Sequence, residues 1–177
     1  KIDRGRHMVE VEDLQSGRRY EEPYDKLALC PGATPVIPKV AGTDDSRVMV
    51  LRNMEDMDRI KASLDSGAKH VAVIGAGYIG MEMAENLRHR WADVTMIEMG
   101  DQVLSPMDRE MARDLELHMM EKGVALRLGI SLKAFKSDFG SLAVHLSDDS
   151  KVNVDLAILE VGLRPDVALA VNAGLET

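Results

Sequence analysis

Gly75-Ala76-Gly77-Tyr78-Ile79-Gly80 has the spacing G-x-G-x-x-G. Between a strand and a helix, such a loop binds a pyrophosphate. The first glycine makes the tight turn, the second lets the backbone approach the phosphates, and the third lets helix and strand pack closely. The helix N-terminus adds unpaired N–H groups and partial positive charge. Glu98 lies 18 residues beyond the third glycine, where an acidic side chain can accept hydrogen bonds from both ribose hydroxyls of an adenosine. Carboxylate at that position repels a 2′-phosphate, and neither neighbour, Ile97 or Met99, is basic. NAD is therefore expected over NADP, unless Arg127 or Lys133 reaches the site from elsewhere. The plainer alternative is a strand-turn-helix whose glycines serve packing alone. Tyr78 and Glu82 lie one helical turn apart on one face, which spacing alone leaves open between a site pair and two exposed helix residues.

The elements around the loop meet its requirements. His70 to Ile74 reads as a compact apolar strand and Asp93 to Glu98 as the next one. Between them Tyr78 to Trp91 reads as a helix, with Ile79, Met83, Leu87 and Trp91 on one stripe. Met54 to Leu64 forms an earlier helix that Ser66-Gly67 ends, preceded by a short strand over Val48 to Leu51. Ser105-Pro106-Met107-Asp108 reads as an N-cap and first turn. Met111, Leu115 and Met119 would form the buried stripe of the helix that follows, and Val124 to Leu128 a third strand. Strands separated by helices imply parallel crossovers. Beyond Gly129 the connections shorten, and Leu132 to Lys136, Ser141 to Leu146 and Val152 to Val161 read as an antiparallel meander.

Ahead of this unit, Met8 to Leu14 and Arg18 to Glu22 form a hairpin, and Lys26 to Cys30 reads as a strand. Pro31, Pro35 and Pro38 then describe an extended linker, with a boundary placed near Gly42 to Arg47. The expected fold is α/β: a Rossmann-like, three-layer unit with helices on the faces of a parallel sheet and a small antiparallel meander. The expected segments are 1–42, 43–161 and 162–177.

The net charge of −8 opposes binding to a nucleic-acid backbone or an anionic membrane, and no basic cluster offsets it. No stretch is long and apolar enough for a membrane span. Lacking a recognisable signal peptide, the protein is expected to be cytoplasmic. A single cysteine, Cys30, excludes an internal disulfide framework. The five histidines show no metal-ligand spacing, so no metal site is expected. Asp138-Phe139-Gly140 spells a kinase tripeptide without its companion motifs and reads as a turn. The chain opens at Lys1 without an initiator Met and closes at Thr177 just past a helix-to-turn transition. It is expected to be part of a longer protein.

With these residues placed, the chain resembles the flavin-dependent pyridine nucleotide-disulfide oxidoreductases. Tyr24 to Leu27 and Cys30 to Pro35 are similar to the stretch where that family's FAD domain passes into its NAD domain. Gly75 to Glu82 resembles its NAD loop, and Val161-Gly162-Leu163-Arg164-Pro165 its return strand. Ile97 to Met99 and Asp108 to Ala112 most resemble the branch of CoA-disulfide reductases and NADH oxidases. The resemblance implies FAD-domain segments flanking an NAD-binding domain. It also implies hydride transfer from NADH to FAD, with electrons passing on to a disulfide, oxygen or peroxide, in a protein that is a homodimer when full-length. By position it implies that Tyr78 gates or stacks on the nicotinamide and that Ile79 belongs to the nucleotide-binding loop. It further implies that Glu82 lies near the carboxamide and flavin edge, that Gly162 contacts the nicotinamide side, and that Pro31 and Gly32 lie near FAD. Cys30 occupies a small-residue position, so no catalytic residue is expected within the chain and the redox cysteine belongs upstream. Two alternatives remain: an NADH-dependent ferredoxin- or nitrite-reductase-type flavoprotein, and a non-catalytic nucleotide-binding module.

Overall fold

A computed structural model describes residues 1–138 and 140–177. The chain forms two compact units: Lys1–Thr34 with Leu163–Thr177, and Pro35–Gly162.

In the first unit β1 (Ile2–Asp3), β2 (Met8–Glu12) and β3 (Arg19–Pro23) form an antiparallel sheet in chain order. The expected hairpin is its β2–β3 pair. Lys26 to Cys30 does not form a strand. Pairing in this stretch falls instead on β4 (Ala33–Pro35) and β13 (Leu163–Pro165), which bond to each other and leave the residues before Pro31 without a partner strand. The short helix α4 (Ala168–Asn172) ends at Gly174, whose φ is +73°.

The second unit contains β5 (Val48–Val50), α1 (Met54–Asp65), β6 (His70–Ile74), α2 (Tyr78–His89), β7 (Asp93–Glu98), α3 (Arg109–Glu121) and β8 (Ala125–Leu128). These are followed by β9 (Leu132–Asp138), β10 (Ser141–Leu146), β11 (Lys151–Val154) and β12 (Leu156–Leu159). The main sheet is parallel in the order β5-β12-β6-β7-β8. β6 and β12 are apolar and almost fully buried, as strands covered on both faces must be.

Side-chain alternation shows what covers each face. Val71, Val73, Val94, Met96, Leu156 and Ile158 pack with residues of α1, α2 and α3. Their neighbours Ala72, Ile74, Ile97, Ala157 and Leu159 pack with Phe135, Leu142, Val144 and Val154 of the antiparallel strands. The helices therefore occupy one face alone, and the sheet β11-β10-β9 forms the third layer in place of a second set of helices. Burying a core side chain such as Leu87 or Ile158 contributes about 2 kcal/mol.

Three further expectations are corrected. Val152 to Val161 is not one strand. Asp155 interrupts it, accepting the N–H groups of Lys69 and His70 at 2.9 Å each, so β11 stays in the meander while β12 enters the parallel sheet. Trp91 lies beyond α2 with φ +65° and is 89% exposed, because the chain turns there before its side chain can join the stripe of Met83 and Leu87. The third helix starts at Arg109 rather than near Ser105. Its buried stripe is Ala112, Glu116 and Met119, while Met111 is 59% exposed. Glu116 is fully buried, with Arg113 at 3.2 Å and Arg109 at 3.6 Å. Of the Asp138-Phe139-Gly140 turn, Phe139 lies outside the described residues, and Asp138 pairs with Ser141 across it. Among the described residues, no helix is long and apolar enough to cross a membrane.

Candidate functional site

The cleft at the carboxyl ends of the parallel strands is where α/β sheets of this kind bind ligands. Here it encloses about 400 Å³ and is lined by Gly75, Gly77, Glu98, Glu160 and Gly162 among others. Four residues singled out from sequence, Gly75, Gly77, Glu98 and Gly162, thus meet in one place.

The three glycines of the loop differ in what requires them. Gly75 has φ +109°, and a Cβ there would fall on the backbone carbonyl of Glu160. A Cβ at Gly80 would fall on the carbonyl of Gly75, which fixes how closely α2 crosses β6. Gly77 has an ordinary φ of −75°, and its Cβ position meets no protein atom within 4 Å. It caps α2, whose first intrahelical bond is Met81 N–H to the Gly77 carbonyl at 3.0 Å. The N–H groups of the preceding first turn have no helical acceptor and are available to an anion.

Glu98 at the end of β7 holds the turn from the other side. One carboxylate oxygen accepts the Ala76 N–H at 2.8 Å and the other accepts the Gly100 N–H at 2.8 Å. Each oxygen keeps a further lone pair for a ribose hydroxyl. Glu98 therefore ties the glycine turn to the loop after β7, a role that spacing alone does not reveal.

Tyr78 and Glu82 lie elsewhere on α2. Both are exposed, Tyr78 by 64%, and both line a groove of about 710 Å³ between α2 and α3 with Met81, Leu104, Leu115 and Met119. Ile79 turns inward and packs against the core under the helices. Pro31 and Gly32 are exposed residues of the first unit. Gly32 has φ +76°, and its carbonyl accepts the Asp166 N–H at 2.9 Å. Cys30 is a free, exposed thiol. Among the described residues no group of acidic, His and Cys side chains has the arrangement of a metal site.

One cleft residue escaped the sequence reading. Glu160 follows the buried strand β12, and its Oε1 is buried without a hydrogen-bond partner among the described residues. Burial raises the group from 4.5 to about 7, against a smaller lowering effect of the nearby Leu51 backbone. The available signal was a carboxylate at the end of an unbroken apolar strand, Leu156 to Leu159, two residues before Gly162.

Over 175 residues, 98% of its length, the chain is 35% identical to an NADH oxidase of Methanocaldococcus jannaschii, covering 39% of that protein. Reduced CoADR-RHD from Bacillus anthracis superposes with a TM-score of 0.94 at 38% identity, over 99% of this chain and 32% of that one. A water-forming NADH oxidase from Lactobacillus brevis, bound to NADH, gives a TM-score of 0.85 at 34% identity, over 97% of this chain and 38% of that one. The chain spans well under half the length of these relatives. The sequence profile of the pyridine nucleotide-disulphide oxidoreductases matches residues 1–177, and with this glycine cleft on this sheet the chain belongs to that family.

Proposed function

We propose that the second unit is the NADH-binding domain of a flavin-dependent oxidoreductase. The whole protein would pass hydride from NADH to FAD and electrons onward to a disulfide of the CoA-disulfide type, to oxygen or to peroxide. Gly77 carries this reading. Gly75 and Gly80 are required by contacts within the protein, whereas the protein leaves the Cβ position of Gly77 open. A glycine with no internal reason, at the N-terminus of a helix, fits a phosphate lying against the backbone.

In this reading the first-turn N–H groups of α2 bind the pyrophosphate and Glu98 accepts the adenosine ribose hydroxyls. Gly162 leaves room beside the nicotinamide. Tyr78 would cover that ring and Glu82 would lie near its carboxamide, with Ile79 packing the loop from beneath. Residues 1–42 and 162–177, with Pro31 and Gly32, would belong to the FAD domain around an NAD domain of residues 43–161. The separate compactness of Lys1–Thr34 with Leu163–Thr177 supports two domains, with residues 35–42 and Gly162 falling in the second unit. The bound flavin supplies the hydride-accepting chemistry, and this chain binds, orients and excludes water. A homodimer is proposed for the whole protein.

Calorimetry tests the binding step. NADH should bind, and Gly77→Val should abolish binding. Equal binding of NADH and inorganic phosphate would overturn the reading. The full-length gene product should be yellow and bleach with NADH. Reoxidation by CoA disulfide, oxygen or peroxide then identifies the acceptor, and a colourless product would leave a nucleotide-binding module without catalysis.

A further inference from the structure

We propose that the buried Glu116 is a positioning residue for the nucleotide: through Val103 and Leu104 it holds the Ala76–Gly77 peptide, and with it the direction of the Gly77 N–H. The inference rests on the NADH-binding reading and deepens it.

The donors at the start of α2 are not all fixed by the helix. The Gly77 carbonyl accepts the Met81 N–H at 3.0 Å, so the peptide between Gly77 and Tyr78 takes its orientation from α2. The preceding peptide carries the Ala76 carbonyl and the Gly77 N–H on opposite edges of one rigid plane. Its carbonyl accepts, at 2.9 Å, the N–H of Leu104 in the loop between β7 and α3. Whatever holds Leu104 therefore aims the Gly77 N–H, a donor with partial positive charge for a bound pyrophosphate.

Leu104 is buried with φ +45°, a left-handed conformation that leucine keeps only where its surroundings over-determine it. Its carbonyl accepts the Met107 N–H at 2.7 Å. The neighbouring Val103 is fully buried, and its N–H donates to Glu116 Oε1 at 3.4 Å. Arg109 supplies a second tether, donating to the Asp101 carbonyl at 2.6 Å and lying 3.6 Å from the same Oε1. Arg113 faces Glu116 Oε2 at 3.2 Å.

A buried ion pair is often no better for stability than apolar side chains of the same volume. An apolar residue at 116 could cover Val103 equally well, but it could neither accept the Val103 N–H nor draw in Arg109. What the carboxylate adds is a fixed place for the backbone of residues 101–104. The Ala76 N–H is already tied to Glu98 at 2.8 Å. Both backbone groups of Ala76 are in this way held from the β7 side of the sheet, between the two glycines of the turn.

The test compares Glu116→Met with Glu116→Gln in the full-length protein. Both remove the charge that pairs with Arg109 and Arg113, and both should lower the urea midpoint by similar amounts. Only the Gln variant keeps an acceptor. Two donors, the Val103 N–H and Arg109, meet at Oε1, so the amide carbonyl takes that place. Glu116→Met should weaken NADH and ADP-ribose alike by about tenfold, the worth of one hydrogen bond to a charged group. It should also speed amide exchange across residues 99–106, read by mass spectrometry. Glu116→Gln should stay within about threefold of wild type in both affinities. Arg109→Ala removes an exposed side chain and spares the core; it should cost about threefold. Unchanged affinity in a folded Glu116→Met overturns the assignment, as does equal loss in the Met and Gln variants, since affinity would then follow stability alone. If Glu116→Met does not fold, unchanged affinity in Arg109→Ala overturns it. A wild-type protein that binds neither NADH nor ADP-ribose overturns the nucleotide reading instead.

Discussion

Two carboxyl groups flank the glycine turn, one at the end of each strand beside β6, and their surroundings are opposite. Glu98 has both oxygens engaged by backbone N–H groups, from Ala76 and Gly100. Glu160 has one oxygen buried without a partner. The first side of the cleft is therefore built by the protein for itself, with a spare lone pair left on each oxygen. On the second side, one carboxyl oxygen has no partner among the described residues. The two sides are thus a rigid half, already satisfied, and an incomplete half with one polar oxygen unpaired.

The largest expected effect comes from removing the turn that separates the two sides. Gly75→Ala combines a left-handed backbone with a Cβ on the Glu160 carbonyl. It should cost about 3 kcal/mol or more in urea denaturation and disrupt both sides together. Gly77→Val should do the reverse in kind. Stability should change by less than about 1 kcal/mol, while calorimetric affinity for NADH falls about 100-fold or beyond measurement, a loss near 2.7 kcal/mol.

Glu98→Ala tests the rigid half. It leaves the Ala76 and Gly100 N–H groups without their acceptor and should cost about 2 kcal/mol of stability. It should also narrow the preference for NADH over NADPH in paired titrations. Unchanged stability would mean that the loop bonds contribute little.

The smallest effect belongs to the incomplete half and is read by pH. The Glu160 carboxyl rises from 4.5 when unfolded to about 7 when folded, because burial disfavours its charge. The folded state thus binds the proton more tightly, and stability is fully present below about 4.5. It should decline as pH rises to about 7 and stay reduced above that, by about 1–2 kcal/mol once solvent in the cleft is allowed for. Thermal melts of Glu160→Gln across that window should lack this decline.

Local pattern carried much of the architecture. The run His70–Ile74, the glycine turn and the strand ending at Glu98 were legible because apolar period, turn residues and helix entry all agree there. Three kinds of feature were not. Which layer covers which face depends on contacts distant in sequence, so the helices were expected on both faces when the antiparallel strands take one. The division at Asp155 depends on the N–H groups of Lys69 and His70, which no local window contains. On α3, Met119 and Leu115 join the core as their apolarity implies, but Glu116 displaces Met111 because Arg109 and Arg113 make its buried carboxylate the better fit. The same blindness hid Glu160, since its significance lies in a missing partner.

The position of β12 bears on how the protein comes to exist. This strand lies between β5 and β6, yet it is the last of the main sheet to be synthesised. During translation, at about 5–20 residues per second, β5 and β6 must wait for more than half of the second unit before the strand between them emerges. Until then the edge of β6 stays open and the Glu160 carbonyl that abuts Gly75 is missing. The cleft at the strand ends is thus an end product of folding, and a ligand that binds it would select finished chains from unfinished ones.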